Sequence, residues 1–303
     1  MNPEINQLFK QLNALLLGKN HVIQLAMACI LARGHLLLED VPGVGKTTLA
    51  HGLAAALGLD YQRVQFTNDM LPADILGVTI FRPNESKFVF QPGPIFHRFL
   101  LADEINRASP KVQSALLEAM EEQQVSVDGK TFALPKPFMV IATQNPTEQV
   151  GTFPLPESQL DRFLMRISIG YPNEQAEQYL YKHGSMRENI RKIQAVFNAD
   201  SLINLQQQAN QVSVSDAIAD YAYRLINATR TGTAFVQGLS PRAGLAVIQA
   251  AKAWALIAGR NMVLPEDVKA VFTATTAHRL RPVQQGHDSV SLLQDMMRHV
   301  VVG

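Results

Sequence analysis

The chain has 303 residues, 47% of them apolar, with 27 basic against 26 acidic side chains. That length accommodates two domains with real cores. The near-neutral balance excludes a global basic field recruiting nucleic acid, and it excludes an acidic tail. Cys29 is the one cysteine, which excludes an internal disulfide, suits a reducing compartment and reads as core.

Asn2-Pro3 reads as a helix cap followed by proline at the first helical position. Ile5, Leu8, Phe9, Leu12, Leu15 and Leu16 follow at helical spacing until Gly18, and a second helix covers 20–33. The stretch 22–38 is the most apolar, but Arg33 and His35 interrupt it before it could span a bilayer. With no basic region leading into an apolar segment at Met1, the expectation is a soluble cytoplasmic protein without membrane insertion.

Leu36, Leu37 and Leu38 form the continuous apolar run of a buried parallel strand. Pro42, Gly43 and Gly45 then break regular structure, and 46–57 resumes with helical spacing. A second strand is expected at 61–66. Residues 71–77 read as a short helix started by Pro72, and 79–81 with 87–90 as an inserted hairpin. Its aromatics, Phe81, Phe88 and Phe90, suit either another protein or the parent domain. A third core strand at 99–102 ends in Asp103-Glu104, and Ser109-Pro110 starts a helix. Asp128-Gly129 between 125–127 and 131–134 is a strong hairpin signal, and core strands follow at 138–142 and 163–169. Beyond 172 the strand signals fade into helices at 174–182, 199–209, 215–228, 240–258, 265–277 and 289–300. The expected fold class is α/β: a three-layer α/β/α core with a parallel sheet over 1–172, carrying hairpin insertions near 79–90 and 125–134. An all-helical domain would follow over 173–303.

Strand, glycine-bearing loop and helix in that order make a phosphate cradle over Pro42, Gly43, Val44, Gly45, Lys46, Thr47 and Thr48. Lys46 would reach the β- and γ-phosphates of ATP, and Thr47 would sit on Mg²⁺. The strict pattern begins with glycine where this chain has Asp40, so the Asp40 carboxylate must point away from phosphate. Asp103 would join the metal shell, with Glu104 as the base acting on a water in line with the γ-phosphate. Asn145, ending the next strand, can hold that water, although Asn145-Pro146 also reads as a simple turn. Arg162 and Arg242 are candidate transition-state stabilisers, or else surface ion-pair partners. No His-Glu-x-x-His, paired-cysteine or Gly-x-Ser-x-Gly pattern supports another chemistry.

Six motifs in order give the chain a likeness to a known family. They are Gly18-Lys19, the loop 39–47, Leu101-Ala102-Asp103-Glu104-Ile105-Asn106-Arg107-Ala108, Ala142-Thr143-Gln144-Asn145-Pro146, Leu160-Asp161-Arg162-Phe163 and Ser240-Pro241-Arg242-Ala243. Together they resemble a MoxR-type AAA+ ATPase. The resemblance implies that Gly18 borders the adenine and that Lys46 with Thr47, and Asp103 with Glu104, are the Walker A and B pairs. It implies Asn145 as sensor 1, Arg162 as an arginine finger offered to a neighbouring subunit, and Arg242 as sensor 2 on the γ-phosphate of its own subunit. It also implies a ring, expected as a hexamer, that acts on a protein client with a von Willebrand factor type A domain protein in complex maturation or metal-cofactor insertion. Two other readings stand beside this one: a nucleotide-gated scaffold with little turnover, and a nucleic-acid remodeller, which the neutral charge disfavours.

Overall fold

The computed structural model describes residues 2–146, 151–184, 186–284 and 286–301, with the side chains of 186–188 left aside. Helix α1 (Pro3–Leu15), capped by the Asn2 side chain, and α2 (Asn20–Leu31) precede the first strand, β1 (Leu36–Glu39). Then come α3 (Lys46–Ala56), β2 (Tyr61–Gln65), α4 (Pro72–Leu76), β3 (Gly77–Arg82), β4 (Lys87–Pro92), β5 (Phe99–Asp103) and α5 (Pro110–Glu122). Strands β6 (Gln124–Val127), β7 (Lys130–Ala133) and β8 (Met139–Gln144), helix α6 (Glu157–Leu160) and β9 (Met165–Ile167) complete the sheet region. Helices α7 (Glu174–His183), α8 (Ala199–Gln211), α9 (Asp216–Thr231), α10 (Pro241–Ile257), α11 (Pro265–Thr276) and α12 (Ser289–His299) make the rest. No helix of the described residues is long and apolar enough to cross a membrane.

Five strands form one parallel sheet in the order β2-β5-β8-β1-β9. The period-2 alternation of a strand sends Leu36 and Leu38 to one face and Leu37 to the other, and all three are fully buried. Leu37, Leu100, Ala102, Val140 and Ala142 pack against Ile75 of α4 and Val112, Leu116 and Met120 of α5. Leu36, Leu38, Leu101 and Ile141 join the opposite cluster, which runs from Ile5 and Ile23 through Leu202 and Ala250 to Phe272 and Leu293. Both faces are covered, so the strands need continuous apolar runs rather than alternation. Cys29 lies in this cluster with its thiol on His35 O at 3.4 Å, and burial pushes the thiol pKa up.

The antiparallel pairs β3–β4 and β6–β7 stand outside the main sheet. At the second turn Asp128 and Gly129 both have positive φ (50° and 75°), as a tight two-residue hairpin turn requires. The hairpin aromatics divide. Phe90 stacks on Phe132 with ring centroids 4.0 Å apart, tying the two hairpins together, whereas Phe81 and Phe88 meet each other on the exposed side.

His35 locks the amino end of β1 to its surroundings. Its Nδ1 accepts the Val140 N–H at 3.0 Å, so the ring proton belongs on Nε2, which donates to Met120 O at 3.4 Å. Burial depresses its pKa from 6.5 to about 4, against a smaller upward effect of the Met120 bond. The unfolded chain therefore binds one more proton between those values, and stability is lost as pH falls through that window. His35→Asn, which cannot titrate, should lose roughly 2 kcal/mol less stability than the wild type between pH 6.5 and 5. Denaturant melts at the two pH values measure this. Equal losses in both proteins would refute the assignment.

Candidate functional site: a phosphate loop facing two acids

β1 delivers the chain to the loop at the carboxyl edge of the sheet. There Gly43 and Gly45 adopt φ of 85° and 104°, conformations that L side chains rarely adopt. Gly45 is the N-cap residue of α3, and no side chain caps that helix. Its first turn, Lys46, Thr47 and Thr48, thus presents N–H groups and the positive end of the helix dipole toward the loop. The Lys46 ammonium donates to the carbonyl of Asp40, to Val41 O at 3.2 Å and to Gln144 O at 3.5 Å. Burial lowers the Lys46 pKa, opposed by the charges of Asp40, Asp103 and Glu104.

Asp40 turns its carboxylate away from the loop interior. Oδ2 accepts Gly170 N at 2.6 Å and Ser168 Oγ at 2.8 Å, and Oδ1 accepts Val41 N at 2.9 Å. Burial alone would raise its pKa, but these bonds together hold it below the ordinary value. A residue that departs from the strict loop pattern thereby ties the loop to the chain leaving β9.

The same edge carries the acids. Thr143 Oγ1 donates to Asp103 Oδ1 at 2.6 Å and accepts the Glu104 N–H at 2.8 Å, so one hydroxyl sets both. Glu104 sits at φ 58°, ψ 50°, a left-handed conformation that is unusual for a non-glycine residue and characteristic of functional sites. Its Oε2 accepts Gln65 Nε2 at 2.8 Å and pairs with Arg107 Nε at 2.9 Å. Asp103 Oδ2 pairs with Arg63 Nη2 at 2.7 Å. Asn145, buried, follows β8 directly, beside the Gln144 carbonyl that accepts from Lys46 and from Asp40 N.

A cavity of about 140 Å³ adjoins the loop, walled by Leu15, Leu16 and Lys19 on one side and Pro172, Ala176 and Leu180 on the other. Gly18 stands between Leu17 and Lys19 of that wall at φ 73°, and a Cβ there would lie 3.1 Å from Asn173 Nδ2 at the start of α7. Lys19 Nζ donates to Tyr171 O at 2.6 Å across the opening. An apolar slot beside an uncapped helix start fits the base and phosphates of a nucleotide, and Thr47 with Asp103 offers the hard oxygen ligands that suit Mg²⁺.

Arg162 and Arg242 are not at this edge. Arg162 Nη1 donates to Leu117 O at 2.9 Å and pairs with Glu121 Oε2 at 2.6 Å, and Arg242 Nη2 meets Oε1 of the same Glu121 at 3.3 Å. Asp161 carries Arg279 at 2.6 Å and Arg242 at 3.8 Å. Glu121 follows Met120, whose carbonyl meets His35, and Leu164 N bonds His35 O at 2.9 Å. This cluster therefore lies at the amino edge of the sheet, whereas the phosphate loop follows the carboxyl end of β1. At ~3.3 Å per residue the four residues of β1 separate those edges by roughly 13 Å. Arg242 is thus placed with Glu121 and Asp161, away from the phosphate loop of its own chain. The start of α10 is held beside Arg162 by a shared carboxylate.

Sequence reasoning missed Arg63, Gln65, Thr143, Glu121 and Arg279. A charged Arg63 inside a strand of a buried sheet is a signal that was there to be found; the others emerge only from the pairing of strands and helices.

The fold and this loop define an AAA-type nucleotide-binding core with its lid. Residues 35–165 match the model of the ATPase family associated with various cellular activities, and 227–296 match the AAA lid domain. Chaperone MoxR1 of Mycobacterium tuberculosis is 42% identical over 282 residues, 89% of this chain and 74% of that one. Uncharacterized protein YeaC of Bacillus subtilis is 43% identical over 280 residues, 92% and 88% of the two chains. A crystal structure of a candidate ATPase from Cytophaga hutchinsonii superposes with a TM-score of 0.90 at 35% identity, covering 99% of this chain and 95% of that one. The chain belongs to the MoxR family of AAA+ ATPases.

Proposed function

We propose that this protein hydrolyses ATP with Mg²⁺ and works as a ring-forming chaperone in the cytoplasm. The observation that carries the reading is the split of phosphoryl-transfer groups between two edges of one sheet. Lys46, Thr47, Asp103, Glu104 and Asn145 gather at the carboxyl edge, while Arg162 and Arg242 are held as a pair by Glu121 at the other. One copy cannot complete its own site, but a neighbour can supply both arginines. A closed ring, a hexamer in this proposal, satisfies every subunit in that way. Lys46 and the uncapped turn of α3 would hold the phosphates, the slot by Gly18 the base, and Thr47 and Asp103 the metal, which would neutralise charge on the phosphates. Glu104 would take the proton of the attacking water, and Asn145 would orient that water.

The division into a nucleotide domain, 1–172, and a helical lid, 173–303, is part of the proposal. Because α2 packs in one cluster with α8 and α10, motion between the two would be a small shear rather than a wide opening. A relative named as a chaperone supports a protein client. A von Willebrand factor type A partner, and a role in complex maturation or metal-cofactor insertion, complete the reading. Co-purification from the native host tests the partner. Phosphate release tests the chemistry: wild-type turnover should rise with assembly, and Lys46→Ala should weaken ATP binding at least tenfold by removing the cation of the cradle. Turnover that persists unchanged in a demonstrated monomer would count against the ring.

A further inference from the structure

Arg162 stands between two residues whose carbonyls are both held by one side chain from the helical region. Helix α6 has four residues, too few to satisfy the carbonyls at its end, so the segment 161–163 that leaves it takes donors from elsewhere. Arg279 supplies them. It closes the turn 277–279 that follows α11, inside the segment that matches the lid domain. Its Nε donates to Asp161 Oδ1 at 2.6 Å, and its Nη2 donates to Asp161 O at 3.3 Å and to Phe163 O at 3.0 Å. His278 Nε2 donates to the same Phe163 carbonyl at 3.0 Å. Arg279 Nη1 turns back to Thr275 O, which fixes the guanidinium to α11. A cavity of about 310 Å³ adjoins the contact, with Glu157, Asp161, Ser240 and Arg279 in its wall. Packing is incomplete on that side, and the charge-assisted fork of Arg279 holds the segment there.

We propose that Arg279 is a positioning residue for Arg162, so that the lid of each subunit sets the arginine that serves its neighbour's nucleotide. The role rests on the trans arrangement proposed above and adds to it the part of the chain that aims the arginine. The Arg279 side chain is 8% exposed, against 30% for Arg162 and 60% for Arg242, so Arg279 is too deeply held to reach a neighbour's phosphate itself. Its planar fork is what the contact needs. One guanidinium spans a carboxylate and two carbonyls that flank Arg162, which a single ammonium on a shorter stem cannot do. A shift of α11 therefore carries 161–163 with it. Lid motion in one subunit is read at the next subunit's site rather than at the phosphate loop of its own chain.

Two readouts on the full-length protein test the role. Hydrogen exchange followed by mass spectrometry reads the segment itself. In Arg279→Lys and Arg279→Met the amides of 160–164 should exchange about tenfold faster, while α3 stays as protected as in the wild type. Phosphate release from mixed rings reads the direction of the effect. Arg279→Lys alone should bind ATP as the wild type does and turn over about tenfold more slowly or worse. Mixed with Lys46→Ala subunits, which keep Arg162 and Arg279, it should regain the release that Arg162→Ala regains with that partner. Mixed with Arg162→Ala it should run no faster than Arg279→Lys alone, because neither subunit presents a placed arginine. A residue that only supported the fold would show no such polarity. Rescue by both partners, rescue by neither, or unchanged exchange over 160–164 would overturn the proposal. If Arg162→Ala with Lys46→Ala shows no rescue, the trans reading fails and this inference with it. Rescue there without the Arg279 polarity sinks this inference alone. Asp161→Asn breaks the same contact from its 30% exposed side and should show the same polarity, so it decides the question where an Arg279 variant does not fold.

Discussion

Arg162→Ala protein should bind ATP with nearly wild-type affinity and hydrolyse it ~10³–10⁵-fold more slowly, the range for loss of an arginine that acts across an interface. The expectation follows from position. Arg162 is held at the amino edge of the sheet by Leu117 O and Glu121, with the length of β1 between it and the phosphate loop of its own chain. Its removal therefore leaves the chain's own nucleotide cradle untouched. Mixing makes the test specific. Arg162→Ala subunits keep an intact loop, and Lys46→Ala subunits keep an intact arginine, so mixed assemblies should regain phosphate release at those interfaces, half of the heterotypic ones, where an Arg162→Ala loop faces a Lys46→Ala arginine. Mixed rings, verified by native mass spectrometry, that stay as inactive as either parent would remove the trans role. Arg242→Ala should fail in the same manner, because Arg242 shares Glu121 with Arg162. A selective loss of ATP over ADP affinity within isolated Arg242→Ala subunits would contradict the shared-edge geometry.

Glu104→Gln is expected to retain nucleotide binding and lose turnover by ~10²–10⁴-fold, the usual contribution of a positioned general base. An amide keeps the shape of the side chain and can still meet Gln65, but it takes no proton from water. The backbone should be unaffected, because the left-handed turn at Glu104 is anchored by its N–H on Thr143 Oγ1 rather than by the side chain. Single-turnover phosphate release beside equilibrium binding of a fluorescent nucleotide measures both quantities. Normal hydrolysis by the variant would exclude Glu104 as the base, and loss of binding would mean that the acid supports the site rather than the reaction.

Local chemistry explains how much of this was legible beforehand. The runs at 36–38, 99–102 and 138–142 read as buried strands because both faces of a parallel sheet are covered, and the structure has them at β1, β5 and β8. Asn2-Pro3, Ser215 and Ser240-Pro241 start α1, α9 and α10 because caps and first-turn prolines act within a few residues of themselves. The loop from Pro42 to Thr48 was visible for the same reason: glycine conformations, helix start and lysine are all encoded within seven positions. The likeness of Asp103-Glu104 and Asn145 to known motifs is likewise carried by short segments.

Strand order is different. Nothing in the local chain says that β1 lies between β8 and β9, and that order decides what stands beside what. It brings Thr143 under both acids, sets Arg63 on Asp103 from an edge strand, and sends the Asp40 carboxylate to Ser168 and Gly170, 128 and 130 residues away. It also sets Arg242 beside Arg162, because α5 runs the length of the sheet and carries Glu121 in its last turn at the opposite edge. Residue types and short spacings determined the strands, the caps, the phosphate loop and the acids, all of which depend on interactions within one turn or one strand. The pairing of charges across 40 to 130 residues depends on which strands become neighbours, and that is settled only when the burial of both sheet faces selects one arrangement of the whole chain.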